Sequence, residues 1–494
     1  MRNARQFGDR VAVFFDGQRV THAQYLARAS ALAGGLAGAG IGRGDRVAVL
    51  AQNRIEYLDL YGAAALLGAV IVPINWRLNA DEIEHAITDT TPALVCADAQ
   101  YQPTLTVVRD RCRSVRAWYG FDQDDNGFLA YSTLTKEPAA PLSDDVRADD
   151  TAVILHTAAV SGMARGAQLS HAGLLASNVQ LMNQWRLGPD DVNLGMLPLF
   201  HLSGLGLFLG VLQAGGATVL SARFDATAAA RQIAEHRVTV FAEFAPMLDA
   251  ILGAAEAGSF DLSSLRVVTG LDTPQTVTRF EAACPNARFW SAFGQSELSG
   301  MVTMSPFRER PGSAGRPALL AEVAVFDDLE RPAPVGTVGE IVARGPLVFK
   351  GYWNRDADNA ETFRGGWHHT GDLGRFDDAG YLWYAGRSPA KELIKPGGEN
   401  VYPAEVERVI LEHVAIAEVV VIGVPDQKWG EAVKAVCVCK PGAPVPAPDE
   451  LIAFVGSRIA GFKKPRHVVF VDSIPKTGAG VADRARIKLE HGGA

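Results

Sequence analysis

The chain contains 494 residues, of which 48% are hydrophobic and 21% charged, and its formal net charge is −8 at pH 7. This length exceeds what one compact core usually holds, so we expect a soluble globular protein of at least two domains. The negative charge argues against a basic surface for nucleic acid. No apolar run predicts a signal peptide or a membrane span. From the charge and the lack of such a run we expect neither a nucleic-acid nor a membrane partner.

In the first part of the chain, β-branched runs alternate with alanine-rich amphipathic runs. We predict a strand at 46–50, a helix at 56–67, a strand at 69–73 and a buried strand at 151–157. A connector rich in Pro, Ala and Asp, at 136–150, precedes the last of these strands. This alternation is typical of βαβ units and predicts an α/β protein with parallel sheets.

A change in composition near Pro389 predicts a linker, because proline disfavours a continuous helix. We place a domain boundary there, between an N-terminal domain at 1–390 and a C-terminal domain at 391–494. The predicted elements of the second domain are a helix at 403–413, strands at 418–424 and 432–439, a loop at 441–448 and a helix at 449–460.

The five cysteines are scattered and odd in number, which favours a reducing, cytoplasmic location. Cys437 and Cys439 alternate along a predicted strand, and no histidine or second cysteine pair accompanies them. We therefore expect no metal site built from cysteines.

Four motifs follow one another in a telling order. They are Pro-Leu-Phe-His at 198–201, Phe-Gly-Gln-Ser-Glu at 293–297, Trp-His-His-Thr-Gly-Asp at 367–372, and Lys-Glu-Leu-Ile-Lys-Pro-Gly-Gly-Glu-Asn at 391–400. Together they resemble the motifs of the adenylate-forming acyl-CoA synthetases, the ANL superfamily, over nearly the whole chain. The resemblance implies doubly wound sheets and a small β-barrel-like subdomain in the large N-terminal domain. It also implies a smaller, mobile α+β C-terminal domain.

The resemblance also assigns a nucleotide site. Asp372 suits the two ribose hydroxyls because an ionised carboxylate only accepts hydrogen bonds, and Arg387 offers a fork of donors to ribose or phosphate oxygens. Glu297 could hold a magnesium ion beside a triphosphate. The residues expected to bind the AMP moiety are Asp272, Phe293, Gln295, Ser296, Glu297, Asp372 and Arg387.

A second set is implied for the acyl group and for coenzyme A. The catalytic set is His201, Gly397 and Gly398, and the acyl set is His201, Phe244 and Leu271. The coenzyme A set is Gly397, Gly398, Trp429, Phe462, Lys464 and Arg466, with Lys391 at the hinge between the domains. Trp185 and Phe293 are further candidates for an apolar acyl pocket, and each is equally plausible as a core residue. We expect a hydrophobic acid, bulky and cyclic.

Two departures from the family pattern affect the use of ATP. Val481 stands where the family has the lysine that stabilises charge as the acyl-adenylate forms. The phosphate loop at 157–166 has lost most of its hydroxyls and one glycine, although Arg165 could replace its lysine as a phosphate donor. The parts that would handle coenzyme A and the adenylate are intact.

This asymmetry predicts a non-adenylating acyl-CoA ligase that transfers the acyl group of acyl-AMP to coenzyme A and needs no magnesium. It is similar to the split-reaction ligases of platensimycin- and platencin-type antibiotic biosynthesis, in which a separate adenylating enzyme supplies acyl-AMP. Three alternatives stay open. Lys476, Lys488 or Arg165 could restore ATP-dependent ligation, a carrier-protein thiol could be the acceptor, or the chain could be a dead paralogue that binds a partner. A homodimer is also left open.

Overall fold

A computed structural model describes residues 1–122, 127–136, 145–157, 163–387, 393–426, 429–476 and 482–493. Val481, the predicted hinge residue Lys391 and residues 158–162 of the predicted phosphate loop lie outside these ranges. In the parts of the chain that the structure describes, no helix is both long and apolar enough to cross a lipid bilayer.

Within these ranges the chain forms fourteen α-helices. They are α1 Arg2–Gln6, α2 His22–Gly38, α3 Ile55–Leu67, α4 Ala80–Thr90, α5 Gln102–Val108, α6 His171–Trp185, α7 Leu202–Ala214, α8 Ala226–His236, α9 Met247–Gly258, α10 Pro274–Ala283, α11 Asp356–Thr362, α12 Pro403–Leu411, α13 Pro448–Gly456 and α14 Arg484–His491.

The strands of the described residues complete the secondary structure. They are β1 Val11–Phe15, β2 Gln18–Thr21, β3 Arg46–Leu50, β4 Val70–Pro73, β5 Leu94–Ala97, β6 Ala117–Gly120, β7 Leu129–Ala130, β8 Thr151–Thr157, β9 Arg165–Ser170, β10 Val192–Gly195, β11 Ala217–Leu220, β12 Val240–Phe244, β13 Val267–Leu271, β14 Arg288–Gln295, β15 Gly300–Pro306, β16 Arg316–Pro317, β17 Glu322–Phe326, β18 Gly339–Arg344, β19 His368–Phe376, β20 Leu382–Arg387, β21 Ile416–Asp426, β22 Gly430–Cys439 and β23 His467–Phe470.

Two large sheets form the N-terminal part of the molecule. One has seven strands in the order β7-β6-β5-β3-β4-β8-β9, and the other has nine in the order β16-β15-β14-β13-β12-β10-β11-β1-β2. Their central strands pair in parallel, as β3 does with β4 and β5, and as β13 does with β12 and β14. Such strands are covered by helices on both faces, which explains why they read as continuous Val, Ile and Leu runs.

Two smaller sheets follow. An antiparallel sheet in the order β17-β18-β19-β20 carries the Trp-His-His-Thr-Gly-Asp motif, and the sheet β21-β22-β23 lies in the C-terminal domain. The expected α/β architecture, with a large N-terminal domain and a smaller C-terminal domain, is therefore confirmed. The positions of its boundaries at 390 and 391 stay a prediction, because residues 388–392 lie outside the described ranges.

Most of the predicted elements are present, with shifted ends. The strands predicted at 46–50 and 151–157 coincide with β3 and β8. The helix and strand predicted at 56–67 and 69–73 are α3 and β4, and they meet at Gly68, which caps α3 in a left-handed conformation at φ 71°.

The ends of the C-terminal helices correct the prediction. The helix expected to reach residue 413 ends at Leu411, because the chain turns there to start β21 at Ile416. The helix expected at 449–460 begins at Pro448, which suits the first turn since its missing N–H would have no helical partner. It ends at Gly456, where the chain turns toward the N-terminal domain.

That turn leads to an ion-paired contact between the domains, which we call the latch. Lys463 is 7% exposed, and its Nζ lies 2.7 Å from Glu82 on α4 and 2.7 Å from Glu405 on α12. Burial alone would lower the pKa of Lys463, but the two carboxylates raise it, so the ammonium stays charged. Asn79 adds a hydrogen bond to the Arg458 carbonyl oxygen at 2.7 Å. The latch holds the C-terminal domain in the orientation seen here.

Candidate active site

An inner cavity of about 110 Å³ lies beyond the carboxyl ends of β10, β11 and β12, where parallel sheets commonly place ligands. The C-terminal domain closes it with the loop at 397–399. His201 from the first motif and Phe244 from the predicted acyl set both line it. Its polar lining side chains are Asn53, Arg77, His201, Ser203, Arg223 and Glu399.

Glu399 is the centre of the polar contacts across the domain interface. Its carboxylate lies 3.0 Å from Arg77 Nη1 and 3.4 Å from His201 Nε2, and it accepts a hydrogen bond from Asn75 Nδ2 at 3.0 Å. Burial would raise the pKa of Glu399, but His201 and Arg77 hold it below its ordinary value. An ionised glutamate of the C-terminal domain thus fixes the position of His201 on the N-terminal domain.

An outer cleft of about 670 Å³ lies on the other side of the same loop. Residues from both domains line it, including Arg387 of the predicted nucleotide set and Trp429 of the predicted coenzyme A set. The other lining side chains are Phe244, Ala245, Leu271, Tyr384, Leu393, Lys395, Glu431, Arg484, Ala485 and Lys488. The cleft is cationic, which suits phosphate groups.

The predicted ribose-binding carboxylate lies at the edge of this cleft. Asp372 is 1% exposed and lies 2.9 Å from Arg387 Nε, and it accepts hydrogen bonds from Tyr384 at 3.2 Å and from Gln295. Arg387 in turn donates to the Tyr402 hydroxyl at 3.2 Å. The structure therefore brings together three residues of the predicted nucleotide set.

Glu297 is a buried carboxylate of the predicted nucleotide set, and with Arg165 it forms what we call the phosphate side of the site. It accepts hydrogen bonds from Thr157 Oγ1 at 2.8 Å and from the Tyr352 hydroxyl at 3.0 Å. Burial would raise the pKa of Glu297, but the nearby His368, its own backbone N–H and these two hydroxyls hold it below its ordinary value. Because it is ionised, it fits a divalent cation that phosphate oxygens would share. Among the described residues, no group of three or more His, Cys, Asp or Glu side chains could hold a metal alone.

Arg165 is the one cationic residue in the sequence of the predicted phosphate loop at 157–166. Its Nη1 lies 2.7 Å from Asp358 on α11, and its guanidinium stacks 3.9 Å from the ring centre of Tyr352. The side chain is only 15% exposed. The ion pair and the ring contact thus hold the Arg165 side chain against Asp358 and Tyr352.

The loop at 397–399, which we call the gate loop, has two glycines in conformations that favour glycine. Gly397 has φ 59° and Gly398 has φ 84°. Gly397 donates its N–H to the Trp429 carbonyl oxygen at 2.9 Å, and a Cβ on Gly398 would lie 3.3 Å from the Phe244 ring. Both the backbone conformation and the close approach therefore require these glycines.

The other predicted residues lie in different settings. Arg466 stacks over Trp429 at 5.3 Å, Lys464 is exposed, and Phe462 packs against the C-terminal core. Leu271 is 50% exposed at the rim of the outer cleft. Trp185 is buried against Trp290 in the core, so the structure favours a packing role for it.

Three more residues of the predicted nucleotide set belong to the N-terminal domain. Phe293 is buried beside Tyr384, with ring centres 6.3 Å apart. Ser296 begins the short 3₁₀ turn that carries Glu297. Asp272 lies next to the buried Glu243 rather than in the lining of either cavity.

Sequence reasoning missed the partners of Glu399 and the latch. Arg77 and Asn75 follow β4 directly, and the carboxyl end of a parallel strand was the signal that could have marked them. Lys463 sits inside the basic run of the predicted coenzyme A set, but a basic run alone does not indicate which lysine is buried.

Two family profiles match the chain, one in its N-terminal part and one in its C-terminal part. The profile of the AMP-binding enzyme family matches residues 1–353, and that of the AMP-binding enzyme C-terminal domain matches residues 405–480. The two matches include most of the residues that line the inner cavity, whereas most residues of the outer cleft lie between the two matches or on α14.

Full-length relatives show the same similarity. The chain is 34% identical to a feruloyl-CoA synthase of an Amycolatopsis species over 506 residues, which covers 100% of this chain and 98% of the relative. It is 33% identical to the indoleacetate–CoA ligase of Aromatoleum aromaticum, covering 95% and 93%. Among solved structures, the o-succinylbenzoate CoA synthetase of Bacillus subtilis with a bound product analogue superposes with a TM-score of 0.87. It is 28% identical, and the match covers 99% of this chain and 97% of that one.

Proposed function

The chain belongs to the AMP-binding enzyme family and is an acyl-CoA ligase, and from this premise we propose that it takes its acyl group from preformed acyl-AMP. It transfers this group to coenzyme A and releases AMP. It thus works like the split-reaction ligases of platensimycin-type pathways, and a separate adenylating enzyme supplies its substrate. The acid is hydrophobic and cyclic, in keeping with the aryl acids named for two of its relatives.

The ion pair and ring contact made by Arg165 are the observation that supports this proposal most directly. With Val481 in place of the family lysine, Arg165 is the residue of the phosphate loop that could act as a replacement donor. Its ion pair with Asp358 and its stacking on Tyr352 hold it away from that task. Removing one preorganised donor to transition-state charge costs about 10²–10³-fold in rate, so adenylation would be slow.

The thiol-transfer side supports the proposal as well. The loop with Gly397 and Gly398 lies in the site, and Glu399 of that loop orients His201. Transfer from a mixed anhydride to a thiol is already downhill and mainly requires that the reacting atoms are positioned. No polyphosphate takes part, so this step needs no magnesium, although Glu297 fits the ion.

The deciding experiment compares two substrates for thioester formation. One arm contains ferulic acid, ATP, magnesium and coenzyme A, and the other contains synthetic feruloyl-AMP and coenzyme A; indoleacetate and its adenylate form a second pair. We expect feruloyl-CoA or indoleacetyl-CoA to form at least about 10²-fold faster from the adenylate, with no loss when EDTA is added. Equal rates from acid plus ATP would overturn the proposal.

A variant in the predicted coenzyme A site of the protein distinguishes coenzyme A from a carrier-protein thiol as the acceptor. Phe462→Ala should raise the KM for coenzyme A without changing the KM for acyl-AMP, because the ring would stack on the adenine of coenzyme A. If a carrier-protein thiol were the acceptor instead, the same variant would leave the kinetics with coenzyme A unchanged. A folded chain that forms no thioester in either arm would indicate the dead, partner-binding paralogue.

Full ATP-dependent ligation is the second candidate, and one observation favours it. Lys488 lines the outer cleft, whereas Lys476 is not part of its lining. Lys488 is therefore the better substitute donor of the two C-terminal lysines. Exchange of labelled pyrophosphate into ATP that depends on the acid, and that is lost in Lys488→Met, would support this candidate.

A further inference from the structure

The inner cavity and the outer cleft share only one wall among the described residues. Two residues line both spaces, Phe244 and Gly398. Gly398 has no side chain, so the Phe244 ring is the bulk of the partition between them. A Cβ on Gly398 would lie 3.3 Å from Phe244 Cγ, which shows that the ring lies directly against the gate loop.

Phe244 has a fixed backbone and a ring that borders open space. It ends β12, where it pairs with Leu271, and the next residue, Ala245, donates its N–H to the Leu271 carbonyl oxygen at 2.9 Å. The ring is only partly buried and packs against the edge of the apolar cluster around Trp185. Because it borders a cavity on two sides, it can change rotamer without opening a void in the core.

The two spaces carry different parts of the predicted machinery. The outer cleft carries Arg387, next to Asp372 of the predicted nucleotide set, and Trp429 of the predicted coenzyme A set, whereas the inner cavity carries Glu399 and His201 of the predicted catalytic set. Reacting atoms must come within about 3.5 Å of each other, so thiol and acyl-AMP have to meet where the two spaces join. The meeting point is the wall formed by Phe244 and Gly398.

We propose that Phe244 is a gate between the adenylate and the inner cavity, closed until the thiol arrives. The inference rests on the proposed function, because acyl-AMP must be the bound substrate. In the productive reaction, the C–S bond forms as the C–O bond to AMP breaks. AMP leaves with the electron pair, and the thiol proton passes to solvent.

The gate matters because acyl-AMP is also open to water. Hydrolysis breaks the same C–O bond and gives free acid and AMP, with water in place of the thiol. A closed aromatic ring keeps water of the inner cavity away from the carbonyl carbon, as active-site closure does in other enzymes. Phe244 therefore sets how acyl-AMP is divided between thioester and free acid.

The experiment measures that division for Phe244→Ala. The purified full-length variant is given synthetic feruloyl-AMP or indoleacetyl-AMP with coenzyme A, and thioester and free acid are quantified by chromatography. Removal of the ring joins the two spaces, so the ratio of free acid to thioester should rise about 10-fold over the wild-type ratio. Phe244→Leu keeps an apolar plug and should give an intermediate ratio.

Phe224→Ala is the matched control, because Phe224 lines the inner cavity alone. It removes a ring of the same size and should change KM values while leaving the product ratio within about twofold of the wild-type ratio. A product ratio that is unchanged in both Phe244 variants, with thioester still formed, overturns the gate.

The outcome also separates the gate from the proposed function. If the wild-type chain forms no thioester from either adenylate, the proposed function fails. The gate is then tested by AMP release without coenzyme A, which should still be faster in Phe244→Ala than in the wild type. Equal AMP release in the two proteins overturns the gate in that case too.

Discussion

Two buried glutamates, one on each side of the site, are built in different ways. Glu297 receives hydrogen bonds from Thr157 and Tyr352, so its contacts come from the N-terminal domain alone. Glu399 belongs to the C-terminal domain, and its contacts with Arg77, His201 and Asn75 cross the domain interface. The contacts of Glu297 therefore do not depend on the orientation of the C-terminal domain, whereas those of Glu399 exist only in the domain orientation that the latch holds.

The difference fits the proposed loss of one step of a two-step ligase. A site assembled within one domain can keep its shape after its chemistry has gone, because packing maintains it. A site assembled between domains depends on every contact that positions the two halves. The variants below test this contrast, from the largest expected effect to the smallest.

Gly398→Val should have the largest effect. The new side chain would be strained at φ 84° and would press on the Phe244 ring, so the thiol could not reach the adenylate. We expect a loss of about 10²-fold in kcat/KM for thioester formation from acyl-AMP. Gly442→Val is the control, since Gly442 has a similar φ of 78° with open space around it. Equal losses in the two variants would mean that backbone strain alone is responsible.

Glu399→Gln and Glu297→Gln test the contrast directly. Loss of the charged contacts to Arg77 and His201 should lower kcat from acyl-AMP about 10-fold, because hydrogen bonds to charged groups contribute about 1.5–3 kcal/mol. Glu297→Gln should leave the same rate within about twofold, because Thr157 and Tyr352 can still donate to the amide oxygen. A larger loss in Glu297→Gln would show that the phosphate side still takes part in the transfer.

Lys463→Met tests the latch. It removes both ion pairs and leaves Glu82 and Glu405 without their cation, so the observed domain orientation should become less populated. We expect a larger radius of gyration in small-angle X-ray scattering and a KM for coenzyme A raised about threefold. Lys464→Met changes the exposed neighbouring lysine and should leave the radius of gyration unchanged. A compact Lys463→Met would show that other contacts hold the domains.

Glu243→Gln should have the smallest effect, on stability alone. Glu243 is fully buried, and burial together with the nearby Asp272 raises the pKa of Glu243 well above its ordinary value. In the unfolded chain the group ionises at its ordinary pKa, so stability is lost as pH rises above about 4.5. Glutamine stays neutral, so the variant should gain about 1–3 °C in Tm near pH 8 and little near pH 5. The same gain at both pH values would contradict the raised pKa.

Much of the site was predictable because its residues are close in sequence or fixed by their type. Asp372 and Arg387 were identified from their motifs, and they meet because β19 and β20 are neighbouring strands. Gly397 and Gly398 adopt the positive φ angles that a Gly-Gly pair suits. The helix ends were less accurate, because the turns after Leu411 and Gly456 depend on where the next strand or the other domain lies.

The sequence by itself determined the α/β architecture, the central strands and the family motifs, and it predicts that Val481 takes the place of a family lysine. These follow from local patterns and residue chemistry. Only the tertiary structure decided that Arg165 is tied to Asp358, that Glu399 pairs with Arg77, and that Phe244 divides two cavities. Each of these joins residues about 150 or more positions apart, and packing of distant elements, which no local pattern encodes, sets such contacts.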